Sequence, residues 1–491
     1  MHLCVLILIA SLLLAAEGVG GFLAGEGPWF AGLPLLAFVL PACAVVLEMV
    51  VVRRTVAEAS AGFISSVRRA SSRLKVLQWF SVGCCVLSLI AFGWLDVVRS
   101  FTGNLVLIDE VLGILPGLIL LSLLWLVQWP LERLVQESLL MRRLETGLPI
   151  HPIPSRWGYV LQRARMHLLL LLVPMFTIIL LIESVEALAN LTVTDAALGD
   201  WSGVMRITAA LFALVLAPWA LMIAIGARPL QSGGLRDMIK STLDDADVRA
   251  REVMLWPTGG SMVNGAVIGL LPSLRYVLLT DELLERLPSG QIRAVVAHEA
   301  GHIRHRHLVW TVLSLLALVG VFGVIIEWCL GAVLPALVEW SGDPVRMAGI
   351  SEAVGIMVVL VSTCLCFGWV SRRFELQADA SAARDLTVRG GMGDDSAACM
   401  GRLDEQAVLL MCGALESVAR INGLNPSRHT WRHGSIRWRQ NHLRGSVGSS
   451  LEALSIDDVV RRVKFVIIMS MIFLGIVWMQ QSTLLEPFLD G

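Results

Sequence analysis

Apolar residues fill long stretches of this chain, and polar text is confined to the gaps between them. Runs of about twenty residues, enough to cross roughly 30 Å of hydrocarbon as a helix, lie at 3–22, 30–52, 76–95, 108–129, 167–188, 204–226, 308–333, 351–371 and 464–485. They predict about nine spans. The first run lacks a basic leader and is followed by a second span, so it is expected to be a retained anchor and not a cleaved signal. Two long polar segments remain, 227–307 and 372–463. In the first, Leu235 to Val253 is charged and helix-like, Pro257-Thr258-Gly259-Gly260 is a turn, and β-branched runs around Val267 and at Tyr276 to Leu279 predict two short strands. A helix then starts at Asp281-Glu282. Ser289 is the expected N-cap of the next, which runs from Gln291 toward the seventh span. The second segment opens with SRRFELQADASAARDL, passes a Gly/Asp-rich loop near 387–401, and continues as a helix over Leu403 to Ile421. A membrane hairpin therefore splits the polar domain.

Composition agrees with the pattern. Of 491 residues, 56% are hydrophobic and 16% charged, against about 25% charged in ordinary soluble domains. A net charge of -1 with no concentrated basic face excludes a nucleic-acid partner. The 9 cysteines form no C-x-x-C pair and read as small core residues. Acids in or near spans (Glu48, Asp109, Glu183, Glu327) fall mostly near span ends, where partial solvation accounts for them. The loops at 53–75 and 130–166 are rich in arginine, so they are expected on the cytoplasmic side. Counting spans from there places both polar segments in the cytoplasm as well.

The chemistry is concentrated in AVVAHEAGHIRHRHLVW, residues 294–310, in a chain with only 10 histidines. On a helix, His298 and His302 lie four residues apart on one face and can hold one metal ion. Glu299, one residue on, flanks the ion as a general base. A class that takes its third ligand from a histidine six residues after the second is excluded, because that position holds Leu308. Downstream, Glu375 can supply the third ligand, and Asp379, four residues later on the same face, can fix the tautomer of a ligand histidine.

The stretches NGAVIG, HEAGHIRHRH and SRRFELQAD, with a membrane hairpin between the last two, resemble the HtpX-like and CAAX-prenyl-protease-like integral-membrane zinc metallopeptidases, which are gluzincins. The resemblance covers about 167–445. It implies one Zn2+ per chain on His298, His302 and Glu375, with Glu299 as base and Asp379 in support. Asn264 to Gly269 then mark a substrate-holding edge strand, and His433, Arg384 and Arg439 are candidates for transition-state support. Two departures stand out: Gly265 replaces an alanine, and in HGSIRWR Gly434 replaces a proline. A multi-pass protein of a bacterial-type inner membrane is implied, with lipid bilayer around it and membrane-adjacent protein or peptide substrates.

The expected fold is a mainly α-helical membrane protein with a cytoplasmic α+β zincin-type catalytic domain. Its parts are a four-span accessory module (1–166), two further spans (167–226), the first catalytic half (227–307), the hairpin (308–371), the second half (372–463), and a last span with tail (464–491). The function expected is endopeptidase activity in protein quality control. Two alternatives are an intramembrane protease, whose pentad should lie inside a span, and a non-catalytic membrane scaffold or sensor on a degenerate protease fold, against which the intact Glu299 argues.

Overall fold

The computed structural model describes residues 2–16, 32–57, 63–103, 105, 107–147, 149–192, 195–390 and 401–489. The expected loop near 387–401 therefore lies largely outside the described residues. The chain divides into two compact units, Met1–Ala227 and Arg228–Gly491.

The first unit is all helical: α1 (His2–Ala16), α2 (Leu33–Ala57), α3 (Phe63–Val86), α4 (Trp94–Thr102), α5 (Ile108–Thr146), α6 (Arg156–Ala164), α7 (Leu170–Thr192) and α8 (Asp195–Ala224). Its core gathers Leu8, Leu12, Leu89, Leu121, Trp125 and Tyr159. Asp109 is not solvated at a span end as its position implied. It is buried, and Arg99 on α4 meets Asp109 at 2.8 Å and Glu110 at 3.1 Å, so an internal cation replaces water.

The second unit runs β1 (Arg228–Pro229), α9 (Gly234–Asp245), β2 (Glu252–Trp256), β3 (Gly265–Ile268), β4 (Tyr276–Thr280), α10 (Asp281–Arg286), α11 (Ser289–Arg304), α12 (His307–Ser341), α13 (Pro344–Gly390), α14 (Glu405–Ile421), α15 (Ile436–Gly445) and α16 (Ser455–Leu489). The sheet order is β1-β2-β4-β3. The two expected strands are β3 and β4. The charged stretch expected to be helical to Val253 instead ends as helix at Asp245, turns through Asp247 at φ 51°, and becomes β2, parallel to β4. β4 is central and buried throughout, as its unbroken apolar text requires. β3 pairs antiparallel with β4 alone and lies at the sheet edge. Ile239, Val253, Val277, Leu279, Ile292 and Val296 join α9, the sheet and α11 in one core.

The helix carrying the histidines is not continuous with the next span. Pro288, not Ser289, is its N-cap, and it stops at Arg304. Arg306 then takes a left-handed φ of 55° before α12 begins at His307. Seven helices of the described residues are long and apolar enough to cross a membrane, three of them in the second unit at His307–Ser341, Met347–Arg389 and Ser455–Gln480. The two expected spans without a counterpart correspond to α1, described over only 15 residues, and α8, whose apolar stretch is Val215–Ala224. The cysteines divide: Cys4, Cys85 and Cys412 are core residues, while Cys43, Cys329 and Cys364 are exposed on the helix surfaces.

Close crossing of α11 and α13 depends on Gly301. A Cβ there would stand 3.2 Å from both the Cα and the carbonyl oxygen of Ala378, backbone atoms that cannot swing aside. Gly301→Val should therefore lower stability by about 1–3 kcal/mol through overpacking, with Gly301→Ala intermediate. Gly323→Ala, which meets nothing within 4 Å, should stay within about 0.5 kcal/mol of the parent. Thermal unfolding in detergent measures all three.

Candidate metal centre

Helical spacing puts His298 and His302 on one face of α11, and the glycine crossing presses that face onto α13 at Glu375 and Asp379. The Nε2 atoms of His298 and His302 are 3.3 Å apart. Glu375 Oε2 lies 3.7 Å from the first and its Oε1 3.8 Å from the second. One donor atom from each residue falls within a 4.8 Å cluster. A tetrahedral divalent ion with ligands at ~2.0–2.1 Å separates its donors by about 3.3–3.4 Å, so these three atoms need only a slight contraction to hold one.

Charge favours the same conclusion. Glu299, Glu375 and Asp379 bring three carboxylates into a space where Arg439 supplies one guanidinium. Arg439 Nε and Nη2 grip Asp379 at 2.7 and 2.6 Å, while its Nη1 reaches Glu375 at 3.1 Å. All three of these side chains are buried. A divalent cation held by His298, His302 and Glu375 would offset the remaining negative charge, which burial otherwise penalises.

Each histidine is held differently. His298 Nδ1 is 2.9 Å from Asp379 Oδ1. Burial alone would pull its pKa down, but the Asp379 contact outweighs that and the net shift is upward. For His302 burial dominates, and its pKa falls to about 3. A neutral ring is the form a metal ligand requires. Burial raises the pKa of Glu299, with the charge of His298 and the backbone amide of Val267 on β3 opposing. A raised carboxylate pKa suits a group that must accept and then return a proton.

The remaining expected residues separate clearly. His433 stands at the rim, largely exposed, with Nδ1 2.9 Å from Glu375 Oε1. Arg439 is committed to the two carboxylates. Arg384 lies against Ser381 Oγ at 3.4 Å. Asn264 is tied to β4 through Thr280, whose hydroxyl accepts from its amide at 2.9 Å. Gly269, immediately after β3, adopts φ 114°, where a Cβ would run into the Leu274 carbonyl oxygen, so the turn itself demands glycine. Gly265 is hemmed by Val295 Cγ1 at 3.1 Å and Glu299 Cγ at 3.7 Å from its missing Cβ. Gly434 adopts φ 73°, a value proline cannot take, so its replacement of a proline changes the local backbone.

Reading the sequence did not single out His307, Gln377 or Asp457. His307 Nδ1 lies 2.9 Å from His302 Nδ1, and its Nε2 is 2.9 Å from Gln377 Oε1. Gln377 Nε2 donates to Asp457 on α16 at 2.6 Å. The extra histidines of the cluster were the available signal, but the break at Arg306 that turns His307 back toward His302 was not legible.

Residues 229–443 match Peptidase family M48. Among curated proteins, the chain is 28% identical over 153 residues to "Protease HtpX homolog" of Methanocaldococcus jannaschii, covering 30% of this chain and 52% of that protein. It is 26% identical over 203 residues to "Protease HtpX" of Chromohalobacter salexigens, covering 38% and 65%. To the "Protease HtpX homolog" of Acaryochloris marina it is 27% identical over 230 residues, covering 44% and 73%. The chain thus spans from about half to nearly three quarters of the length of these relatives. A solved structure, S. mikatae Ste24p, aligns at 15% identity with a TM-score of 0.40, covering 85% of this chain and 99% of that one. The His-Glu-x-x-His helix, the hairpin and the downstream Glu-x-x-x-Asp all lie inside the stretch of this chain, residues 229–443, that matches Peptidase family M48.

Proposed function

We propose that this chain is a membrane-bound, zinc-dependent endopeptidase that cuts membrane or membrane-adjacent proteins, as in quality control. The observation that carries the reading is the convergence of His298, His302 and Glu375 donor atoms within 4.8 Å, with Glu299 beside them and the free edge of β3 alongside. Two imidazoles and a carboxylate are a donor set that suits zinc and leaves a position open. When bound, zinc supplies Lewis-acid polarisation of the scissile carbonyl and acidifies water to near neutrality.

The residues divide the remaining work. Glu299 takes the proton of the attacking water and delivers it to the leaving amine. Asp379 orients His298, and Arg439 places both α13 carboxylates without touching substrate. His433, at the rim, is the donor available to the developing oxyanion. A substrate strand added beside Asn264 to Gly269 is held by its main chain, so recognition is broad in sequence.

Orientation follows from charge within the second unit. Arg304, Arg306, Arg372, Arg373, Arg461, Arg462 and Lys464 flank its spans at the end near the metal centre, whereas the hairpin tip carries Glu339, Asp343 and Glu352 with the one cation Arg346. By the positive-inside rule the metal centre faces the cytoplasm, and both ligand helices adjoin spans, so cleavage takes place close to the bilayer.

Glu299→Gln should abolish casein hydrolysis while the protein keeps its zinc, because the amide removes the base and spares the ligands. Near-normal hydrolysis by this variant would leave the scaffold reading standing. His302→Ala and Glu375→Ala should each lose zinc outright, whereas Asp379→Ala should weaken affinity by about 10–100-fold; metal analysis after dialysis ranks them, and equal retention would misplace the site. For topology, in a background without native cysteines, Ser427→Cys should react with a membrane-impermeant maleimide only after the cytoplasmic side is opened, and Ser341→Cys in intact cells. The reverse pattern overturns the orientation.

A further inference from the structure

The metal centre does not end at α13. From His302 a line of polar atoms leads through His307 and Gln377 to Asp457 on α16 at 2.9, 2.9 and 2.6 Å. Each link has one permitted direction. A carboxylate can only accept, so Gln377 must turn its amide nitrogen to Asp457 and its carbonyl oxygen to His307. That oxygen can only accept, so His307 carries its proton on Nε2. In the neutral ring Nδ1 is then a bare lone pair, and the facing Nδ1 of His302 must bear the hydrogen between them. A neutral His302 with its proton on Nδ1 has its free lone pair on Nε2, the atom 3.3 Å from His298 Nε2 and 3.8 Å from Glu375.

We infer that Asp457, acting through Gln377 and His307, is a positioning residue that fixes the tautomer of His302 and thereby makes the last membrane helix part of the metal centre. The inference rests on His302 being a metal ligand, as proposed above. Asp457 and the last span, 464–491, share one helix, α16, so the relay joins that span to the peptidase core. The two ligand histidines are thus oriented by different means: His298 directly by a carboxylate on α13, and His302 by a carboxylate on α16 three links away. The reversed relay would put a proton on His302 Nε2 and block the metal.

Ordinary packing offers a competing account. His307 stacks on Phe374 with ring centres 4.6 Å apart, and Asp457 lies in the first turn of α16, where any acid favours the helix dipole. Lys464 separates the two accounts. It docks α16 through the His305 carbonyl at 3.0 Å and the Trp310 ring at 5.2 Å, and it acts on Asp457 and His307 by its charge, not as a link in the hydrogen-bonded line.

The test uses the full chain in detergent, with Zn2+ affinity read by chelator competition and the visible absorption of Co2+-loaded protein read as a signature of the ligand field. Asp457→Asn and Gln377→Leu should each weaken Zn2+ binding by about tenfold, the lower end expected of an outer partner of a ligand histidine, and shift the Co2+ bands. Asp457→Glu should recover most of the affinity, and Lys464→Met should change neither readout. His302→Ala, run alongside, tests the ligand assignment itself: wild-type affinity there means that His302 is no ligand. If His302→Ala loses the metal while Asp457→Asn and Gln377→Leu match wild type in both readouts, the relay is wrong and the ligand assignment stands. A loss in Lys464→Met equal to that in Asp457→Asn assigns the effect to helix docking and also overturns the relay.

Discussion

Two carboxylates, Glu375 and Asp379, sit one helical turn apart on the buried face of α13, and the guanidinium of Arg439 makes that arrangement tolerable. Its planar fork takes both oxygens of Asp379, and the remaining nitrogen reaches Glu375. Removing one partner of such a buried pair typically costs about 3–5 kcal/mol, because the other charge is left without water or counter-ion. The chain must therefore return after α14 to deliver Arg439 on α15, and several contacts hold that return in place. Arg372 donates to the Trp431 carbonyl at 2.8 Å, and Trp431 Nε1 donates to the Cys364 carbonyl at 2.7 Å. His433 reaches the rim of the centre as part of the same return.

The histidine helix is the other half of the constraint. Its approach is set by a residue with no side chain, Gly301, so that charge and close contact together fix the distance between the two ligand-bearing helices. His298 and His302 would be ordinary polar residues on a membrane-flanking helix if α11 lay a few ångströms farther off. Instead burial removes the charge from His302, and the Asp379 contact orients His298.

Much of this was legible in the sequence for physical reasons. Hydrophobic runs of membrane-spanning length declare themselves, and helical spacing alone pairs His298 with His302 and Glu375 with Asp379. The central strand β4 was readable because a buried strand is apolar on both faces. β2 was not, since the charged text leading into it carries no period of two and its partner β4 is distant in sequence. The break at Arg306 escaped notice because nothing in an arginine announces a left-handed backbone. Gln377 and Asp457 escaped because a glutamine and a helix-starting aspartate are common, and only the fold brings them to the same histidine.

One unbroken helix, α13, runs from Pro344 at the hairpin tip to Gly390. Glu375 lies 31 residues along it, about 45 Å at 1.5 Å per residue. The span and Glu375 are therefore on a single rod, and the four residues between its last apolar turn and the carboxylate, Ser371 to Phe374, include neither glycine nor proline. A tilt of the rod by about 5° about its far end would carry that carboxylate some 4 Å, more than the separation of neighbouring donor atoms around an ion. Helices tilt readily when hydrocarbon thickness and apolar length disagree. The thickness of the surrounding bilayer would thus set a mechanical boundary condition on where Glu375 stands relative to the two histidines, with the glycine crossing and the guanidinium clamp opposing any displacement.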